Sequence, residues 1–188
     1  MGDVSDWIQT YTGRKVYPLN LRVEDIDVRD IAHALANQCR FAGHARFHYS
    51  VAQHSVLVAN YILDSTGDRE VARWGILHDA SEAYLTDLPR PLKRHPAFGF
   101  YREAEKCAQR VICDRFGLPQ REPEAVKVAD LVLLVTEARD VMSPLHPDWE
   151  HQVANGYTAL DDVIRPWLPE QAEEAFLATF ERFGGGRG

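Results

Sequence analysis

The chain has 188 residues, of which 45% are hydrophobic and 26% are charged, ordinary values for one globular domain. Its formal net charge is −7, which disfavours duplex nucleic acid and anionic membranes as main partners, because both attract basic surfaces. No apolar run approaches the roughly 18 residues that a membrane-spanning helix needs. We therefore expect a soluble protein that binds neither duplex nucleic acid nor a membrane.

The cysteines and the first residues of the chain both indicate the cytoplasm. Cys39, Cys107 and Cys113 are odd in number and lack CxxC spacing, which is typical of reduced thiols. Residues 1–7 have neither the basic start nor the apolar stretch of a signal peptide. The predicted localisation is cytoplasmic.

The hydrophobic periodicity is helical along most of the chain, and no segment alternates as a strand does. Residues 1–24 are expected to be irregular, Ser50 is expected to cap a helix, and prolines mark a loop over residues 89–96. The predicted helices cover residues 28–37, 51–63, 69–83, 98–116, 124–142, 149–164 and 169–183. The predicted fold is all-α, a single domain (1–188) of six or seven helices. It has a core over 28–145, C-terminal helices over 149–183 and a flexible tail over 184–188.

Four residues on separate predicted helices have the chemistry of metal ligands: His54, His78, Asp79 and Asp130. Adjacent residues on a helix point about 100° apart, so His78 and Asp79 can both reach an ion that lies between helices. Two imidazoles and two carboxylates suit Mn, Fe, Co, Ni or Zn better than Ca, and they leave positions for water and a phosphate oxygen. The predicted cofactor is one divalent transition metal, with Mg as an alternative.

Two further carboxylates and several basic residues lie near these ligands in the sequence. Glu82 follows His78 by four positions and Asp79 by three, so it is expected on the same side of one helix, where it would orient or deprotonate an attacking water. Asp87 lies just past the predicted end of that helix and would assist the reaction or bind a sugar. The candidates for neutralising phosphate charge are Arg40, Arg46, Arg90 and Lys93.

Each of these residues also has an ordinary structural interpretation. His54 would then be a hydrogen-bonded core histidine, and Asp130 a carboxylate on a helix face. Asp140 is a rival metal ligand, although Arg139 beside it indicates a solvated face. His44 and His48 are candidates for the lining of a cleft.

The chain resembles the HD-domain metal-dependent phosphohydrolase superfamily, whose pattern H…HD…D is matched by His54, His78-Asp79 and Asp130. Residues 76–93, ILHDASEAYLTDLPRPLK, are similar to the HDASE…DLP.P.K signature of bacterial 5′-deoxynucleotidases. Residues 39–44 and 49–55 are also similar to phage dATP triphosphohydrolases that support altered-base genomes. The resemblance covers roughly residues 28–145.

The resemblance implies an all-helical fold, the four metal ligands named above and Glu82 as the catalytic carboxylate. It also implies that Arg40 and Lys93 meet phosphate and that Asp87 approaches the sugar. Phe41 departs from the deoxynucleotidase pattern, which has tryptophan after the arginine and uses it to reject a 2′-hydroxyl. Phe41 is smaller and lacks the indole N–H, so we expect sugar discrimination to differ.

Three functions are consistent with these residues. The first is release of phosphate from 5′-deoxynucleoside monophosphates, acting on a small nucleotide. The second is a dATP or dNTP triphosphohydrolase, in which the basic residues would cover more negative charge. The third is a non-catalytic module that keeps only the fold, and the complete ligand set argues against it. Hydrolysis of cyclic dinucleotides or (p)ppGpp is disfavoured, because no second-metal signature is present. Relatives of this kind form dimers or larger assemblies, so a homo-oligomer is expected.

Overall fold

The computed structural model describes residues 6–154 and 156–184, and helices dominate these ranges. They contain a two-stranded antiparallel hairpin, in which β1 (Ile8–Gln9) pairs with β2 (Lys15–Val16), and nine α-helices. The helices are α1 (Val28–Asn37), α2 (Val51–Thr66), α3 (Arg69–Ile76), α4 (Glu82–Leu85), α5 (Arg90–Arg94), α6 (Gly99–Phe116), α7 (Glu124–Asp140), α8 (Pro147–Ala154) and α9 (Pro169–Arg182). The all-α prediction is confirmed.

Helix α2 is the centre of the molecule, and it packs against α1, α3, α7 and α9. Its N-cap is Ser50, whose hydroxyl accepts a hydrogen bond from the backbone N–H of Gln53 at 3.1 Å. It ends at Gly67, which has the left-handed conformation (φ 71°) that commonly closes a helix. Because α2 has neighbours on several sides, polar side chains such as His54 lie inside the protein, where they need partners.

Helices α2 and α3 approach each other closely at Gly75. A Cβ atom at this position would lie 2.5 Å from Cδ1 of Ile62 and 3.5 Å from Cα of Ala59. The lack of a side chain therefore allows α3 to lie directly against α2. This approach brings the turn after α3, which carries His78 and Asp79, next to His54 on α2.

The hydrophobic core continues into the C-terminal helix. Phe176 and Phe180 of α9 are fully buried, and α9 contacts both α1 and α2. The apolar side of this helix is thus covered by the rest of the chain. In the described ranges, no helix is both long and apolar enough to cross a membrane.

Several predicted boundaries were wrong. The helix predicted over 69–83 ends at Ile76, and turns separate it from the short α4, so Glu82 and His78 do not share one helix. The predicted loop over 89–96 contains α5, and the predicted irregular N-terminus contains the hairpin. The short helices α4 and α5 raise the number of helices in the described ranges to nine, above the predicted six or seven.

The helix predicted over 149–164 is also shorter than expected. It occupies only Pro147–Ala154, and Gly156 beyond it has φ 86°, which a right-handed helix does not contain. The following segment is held by polar contacts instead, since Asp140 accepts from the backbone N–H of Ile164 at 2.8 Å. Asp140 is therefore a buried structural carboxylate and not part of a solvated face. Of the predicted flexible tail, residues 185–188 lie outside the described residues.

Asp27 joins the start of α1 to the N-terminal hairpin. Its carboxylate caps α1 by accepting from the backbone N–H of Arg29 at 2.9 Å, and it pairs with the guanidinium of Arg14 at 2.9 Å. The side chain of Arg29 also donates to it. The hydrogen bonds from Arg29 outweigh the effect of burial and lower the pKa of Asp27 from 3.8 to about 2.

We expect Asp27→Ala to lower the free energy of unfolding at pH 7 by about 2 to 3 kcal/mol, since the variant loses both the cap and the charge. Asp27→Asn keeps a capping oxygen and so isolates the charge. Because the folded pKa is below the unfolded one, the contribution of the charge is complete above about pH 4 and is lost as the pH falls through about 2. Urea unfolding at pH 7 and at pH 3 measures this. A difference between wild type and Asp27→Asn that is as large at pH 3 would contradict the assignment.

Candidate metal centre

The structure brings the predicted metal ligands together from three places in the fold. His54 lies on α2, His78 and Asp79 lie in the turn after α3, and Asp130 lies on α7. Nε2 of His54 is 3.2 Å from Nε2 of His78, and Oδ2 of Asp79 is 3.2 Å from the latter atom. His54, His78 and Asp79 offer ligand atoms that all lie within 4.8 Å of one another. Asp130 adds Oδ1 at 3.3 Å from Nε2 of His54, at the edge of this cluster.

The hydrogen-bond partner of Nδ1 determines which nitrogen of each neutral imidazole carries the proton. Nδ1 of His78 is 2.7 Å from the carbonyl oxygen of Gly75, an atom that only accepts, so Nδ1 carries the proton. Nδ1 of His54 is 2.5 Å from Oε1 of Glu137. This buried carboxylate oxygen also only accepts, so Nδ1 of His54 carries the proton as well. In the neutral rings, both Nε2 atoms therefore carry lone pairs, and these two atoms face each other.

Such an arrangement fits a divalent cation. Two imidazole lone pairs and the carboxylate oxygens of Asp79 and Asp130 converge on one region, and this mixed nitrogen and oxygen set is typical of first-row transition metals. Without an ion, the same carboxylates attract protons to the imidazoles, so a metal and these protons compete for the Nε2 atoms. Burial opposes a charge on His78, but the Asp79 carboxylate raises the pKa of this imidazole to about 9. The pKa of Asp130 falls to about 2, because the hydrogen bond and charge of His54 outweigh burial.

Glu137 on α7 binds the Nδ1 side of His54, the side opposite the candidate metal site. The sequence analysis did not identify this residue. Its side chain is fully buried, and Oε1 accepts from Nδ1 of His54 and from the hydroxyl of Tyr49 at 2.9 Å. Its other oxygen, Oε2, accepts from the guanidinium of Arg40 at 3.1 Å. A carboxylate on the second nitrogen of a metal-binding histidine orients the ring and makes it a stronger ligand. The signal in the sequence was a lone acid in an apolar run, seven positions after Asp130.

Arg40 lies between Glu137 and the metal cluster. Besides Glu137, its guanidinium contacts Oδ2 of Asp79 at 3.5 Å. The charges of Glu137, Asp130 and Asp79 outweigh burial and raise the pKa of this guanidinium above its ordinary value. The predicted phosphate-binding arginine is therefore a permanent cation within contact distance of a candidate metal ligand.

Glu82 and Lys93 form a second charged group beside the cluster. Nζ of Lys93 lies 3.1 Å from Oε1 of Glu82, 3.7 Å from Oδ1 of Asp87 and 2.8 Å from Oε1 of Glu105. Oε2 of Glu82 is buried and has no hydrogen-bond donor among the described residues. Burial, together with the charges of Asp79 and Asp87, raises the pKa of Glu82 well above its usual 4.5. Glu82 thus has one oxygen held in place and one oxygen free to take a hydrogen bond or a proton.

A cavity of about 710 Å³, a size typical of small-molecule sites, lies beside the candidate metal centre and is lined by Glu82, Asp87 and Lys93. Asp79, Asp130, Glu82 and Asp87 contribute its carboxylates. Its cations are Arg40, Lys93 and Arg90, and its apolar side chains include Phe41, Leu134 and Trp149. His44 also lines the cavity. His48 instead pairs through Nδ1 with the thiol of Cys39 at 3.1 Å.

The structure does not bring Arg46 to this cavity. Its guanidinium donates to the carbonyl oxygen of Asp140 at 2.5 Å, and it lines a separate depression with Arg139 and Glu150. The prediction that Arg46 contacts substrate therefore has no geometric support. Arg46 is close to Arg40 in the sequence, but its backbone N–H donates to the carbonyl oxygen of Val141 at 2.8 Å, which holds it at the end of α7.

Two proteins are similar to this chain over most of its length. The first, the uncharacterized protein YfdR of Escherichia coli (strain K12), is 42% identical over 174 residues, which are 93% of each chain. The second, the uncharacterized protein RCAP_rcc00048 of Rhodobacter capsulatus, is 35% identical over 145 residues, which are 72% of each chain. The chain belongs to the YfdR family. No protein-family model matches it.

In this member of the YfdR family, the amide of Gln38 connects the two ends of the segment that carries Glu82 and Asp87. Nε2 of Gln38 donates to the carbonyl oxygen of Glu82 at 3.1 Å, and Oε1 accepts from the backbone N–H of Asp87 at 3.2 Å. Between them, Thr86 has φ 68° and ψ 157°, a conformation that is rare for a β-branched residue and costs about 1–3 kcal/mol. These contacts keep both carboxylates at the cavity despite the backbone strain.

Proposed function

We propose that the chain is a metal-dependent phosphohydrolase of the HD-domain type that acts on nucleotides and releases phosphate from 5′-deoxynucleoside monophosphates. One observation carries the proposal. The Nε2 lone pairs of His54 and His78 converge with the carboxylates of Asp79 and Asp130 beside a cavity that also contains Arg40. This combination suits a phosphate ester, since its oxygens need a Lewis acid and a fixed cation.

Each residue has a specific task in this reaction. A divalent metal held by His54, His78, Asp79 and Asp130 would lower the pKa of a bound water and polarise the phosphoryl oxygen. Arg40 supplies a permanent positive charge next to Asp79 for the transferred phosphoryl group. Glu82 is the proton acceptor, because its Oε2 atom has no partner within the described residues and its pKa is raised well above the usual 4.5, which makes it a stronger base.

The charges of the cavity favour a monophosphate over a triphosphate. Lys93 is surrounded by three carboxylates, and Arg40 is paired with Glu137 and Asp79. Among the cations of the cavity, only Arg90 has no ion pair within the described residues. The four lining carboxylates outnumber the three lining cations by one, so with a divalent ion the lining groups carry a single net positive charge. That charge offsets half of the charge of a phosphate dianion but a much smaller share of that of a triphosphate.

The location of the protein, its assembly state and its class of substrate are inferred from the resemblance to HD-domain phosphohydrolases. We propose that the protein works in the cytoplasm as a homo-oligomer on a small nucleotide. A dATP or dNTP triphosphohydrolase is the alternative reaction. The non-catalytic module is disfavoured, because the chain retains all four candidate ligands and Glu82 lines the cavity beside them.

The deciding experiment is product analysis with a panel of dNMPs, NMPs and dNTPs, with Mn, Co, Zn or Mg added in turn. Inorganic phosphate from dNMPs alone is the expected result. Deoxynucleoside and triphosphate from dATP, with dAMP left intact, would replace the proposal with the triphosphohydrolase. No turnover of any substrate by the metal-loaded protein would overturn both reactions.

A further inference from the structure

Trp149 lines the cavity but takes no part in the charged cluster. It lies on α8, is half-buried and has its ring edge-on to that of Phe41, with centroids 6.2 Å apart and planes at 85°. Its Nε1–H donates no hydrogen bond within the described residues. Trp74 provides the contrast, since its Nε1–H donates to the carbonyl oxygen of Pro119 at 2.9 Å. Partly buried tryptophans usually have an acceptor for this group, so the indole of Trp149 is available to a ligand.

Phe41 connects Trp149 to the metal centre. Phe41 and Ala42 have φ 55° and 50°, a left-handed conformation that non-glycine residues rarely adopt, and Gly43 follows with φ 79°. This turn places the Phe41 ring 5.5 Å from the guanidinium carbon of Arg40, which itself contacts Asp79. A continuous wall of Arg40, Phe41 and Trp149 therefore leads from the metal ligands to α8.

A phosphate ester bound at the metal centre has to extend its alcohol group into the rest of this cavity. Beyond the charged residues the lining is apolar, with Leu88, Pro89, Leu134 and Met142 accompanying the two aromatic rings. Apolar walls with an aromatic edge pair favour a flat ring system, because such a ring makes stacked or edge contacts with tryptophan whatever its substituents. A bare sugar phosphate would leave this part of the cavity to water.

We propose that Trp149 contacts the nucleobase and determines the preference of this protein for nucleoside phosphates over sugar phosphates. The inference rests on the proposed function, since it takes the phosphate to lie at the metal centre. It assigns the base contact to a residue of α8, outside the segment that resembles known phosphohydrolases.

The test compares two probes that differ only in the base: 2′-deoxyadenosine 5′-monophosphate and 2-deoxyribose 5-phosphate, both with Mn²⁺. We expect Trp149→Ala to raise the KM ratio of the nucleotide to the sugar phosphate by about tenfold, as expected for loss of one base–aromatic contact. Trp149→Phe, which keeps a ring, should restore most of the preference. Trp7→Phe is the control, because Trp7 directly precedes β1 and does not line the cavity. This variant should behave like wild type.

The outcomes separate this inference from the proposed function. An unchanged KM ratio in Trp149→Ala would overturn the role of Trp149, whereas wild-type turnover would still support the phosphohydrolase. If the wild type hydrolyses neither probe, the proposed function fails, and equilibrium dialysis of the same probes then decides. A Kd ratio of nucleotide to sugar phosphate that rises with Trp149→Ala would support the base contact, and an equal Kd for both probes in the wild type would overturn it.

Discussion

His78→Ala is expected to abolish the proposed metal binding and, with it, the proposed phosphohydrolase activity. The variant removes one of the two Nε2 lone pairs that face each other at 3.2 Å, and it leaves Asp79 and Asp130 close together without one of their partners. Loss of a group that merely orients a ligand typically weakens metal binding 10–100-fold, so loss of the ligand itself should exceed about 100-fold. Metal content after dialysis and calorimetric titration with Mn²⁺ measure this directly.

His146→Ala is the matched control for this variant. His146 is exposed and lies on the surface before α8, so its removal takes away an imidazole without touching the centre. We expect it to bind metal as the wild type does. Full metal content in His78→Ala, with circular dichroism like that of the wild type, would rule out the proposed ligand set.

The second large effect is expected for Glu82→Gln, which should keep the metal and lose turnover by about 10² to 10⁴-fold in kcat. The amide has the same shape, and its oxygen can still accept from Lys93, so the local structure is retained. The amide cannot accept a proton, however, and Oε2 of Glu82 is a buried oxygen without a partner within the described residues. Metal content tests whether the variant still binds the ion, and kcat, measured on the same sample, tests the loss of turnover.

Glu105→Gln provides a closely matched control for Glu82→Gln. Glu105 also pairs with Lys93, at 2.8 Å, but it does not line the cavity. If Glu82→Gln lowered kcat only by removing a negative charge beside Lys93, Glu105→Gln would lower kcat to a similar extent. We expect Glu105→Gln to retain at least about a tenth of the wild-type kcat, the usual scale of indirect effects. Equal losses in the two variants would remove Glu82 from its role as proton acceptor.

The long helices were predictable because their determinants are local. Ser50 caps α2 through a hydrogen bond to an N–H three residues away, and Gly117 ends α6 with a left-handed conformation (φ 63°). The segment after α3 was harder to predict, because its apolar pattern continues through Leu77 while the backbone leaves the helix. There, contacts with other parts of the chain, including the hydrogen bond of Gln38 to Glu82, decide the conformation.

The candidate metal ligands were predictable by type and spacing, and the structure brings His54, His78 and Asp79 together. The residues that hold these ligands in position were not predictable from the sequence. Glu137 orients His54 across 83 positions of sequence, and no local pattern marks such a pair. Trp149 was likewise assigned only to a helix, and its place beside Phe41 depends on how α8 lies against α7.

The sequence by itself determined the helical class, the N-cap of α2 and the chemical identity of the candidate metal ligands. Periodicity, capping and side-chain chemistry depend on residues within a few positions of one another. Only the tertiary structure decided which carboxylate orients His54, that Arg46 lies outside the cavity, and that Lys93 is surrounded by acids. Those outcomes depend on the packing of α2, α3 and α7, which is set by the shape of whole helix faces and by close approaches such as that at Gly75.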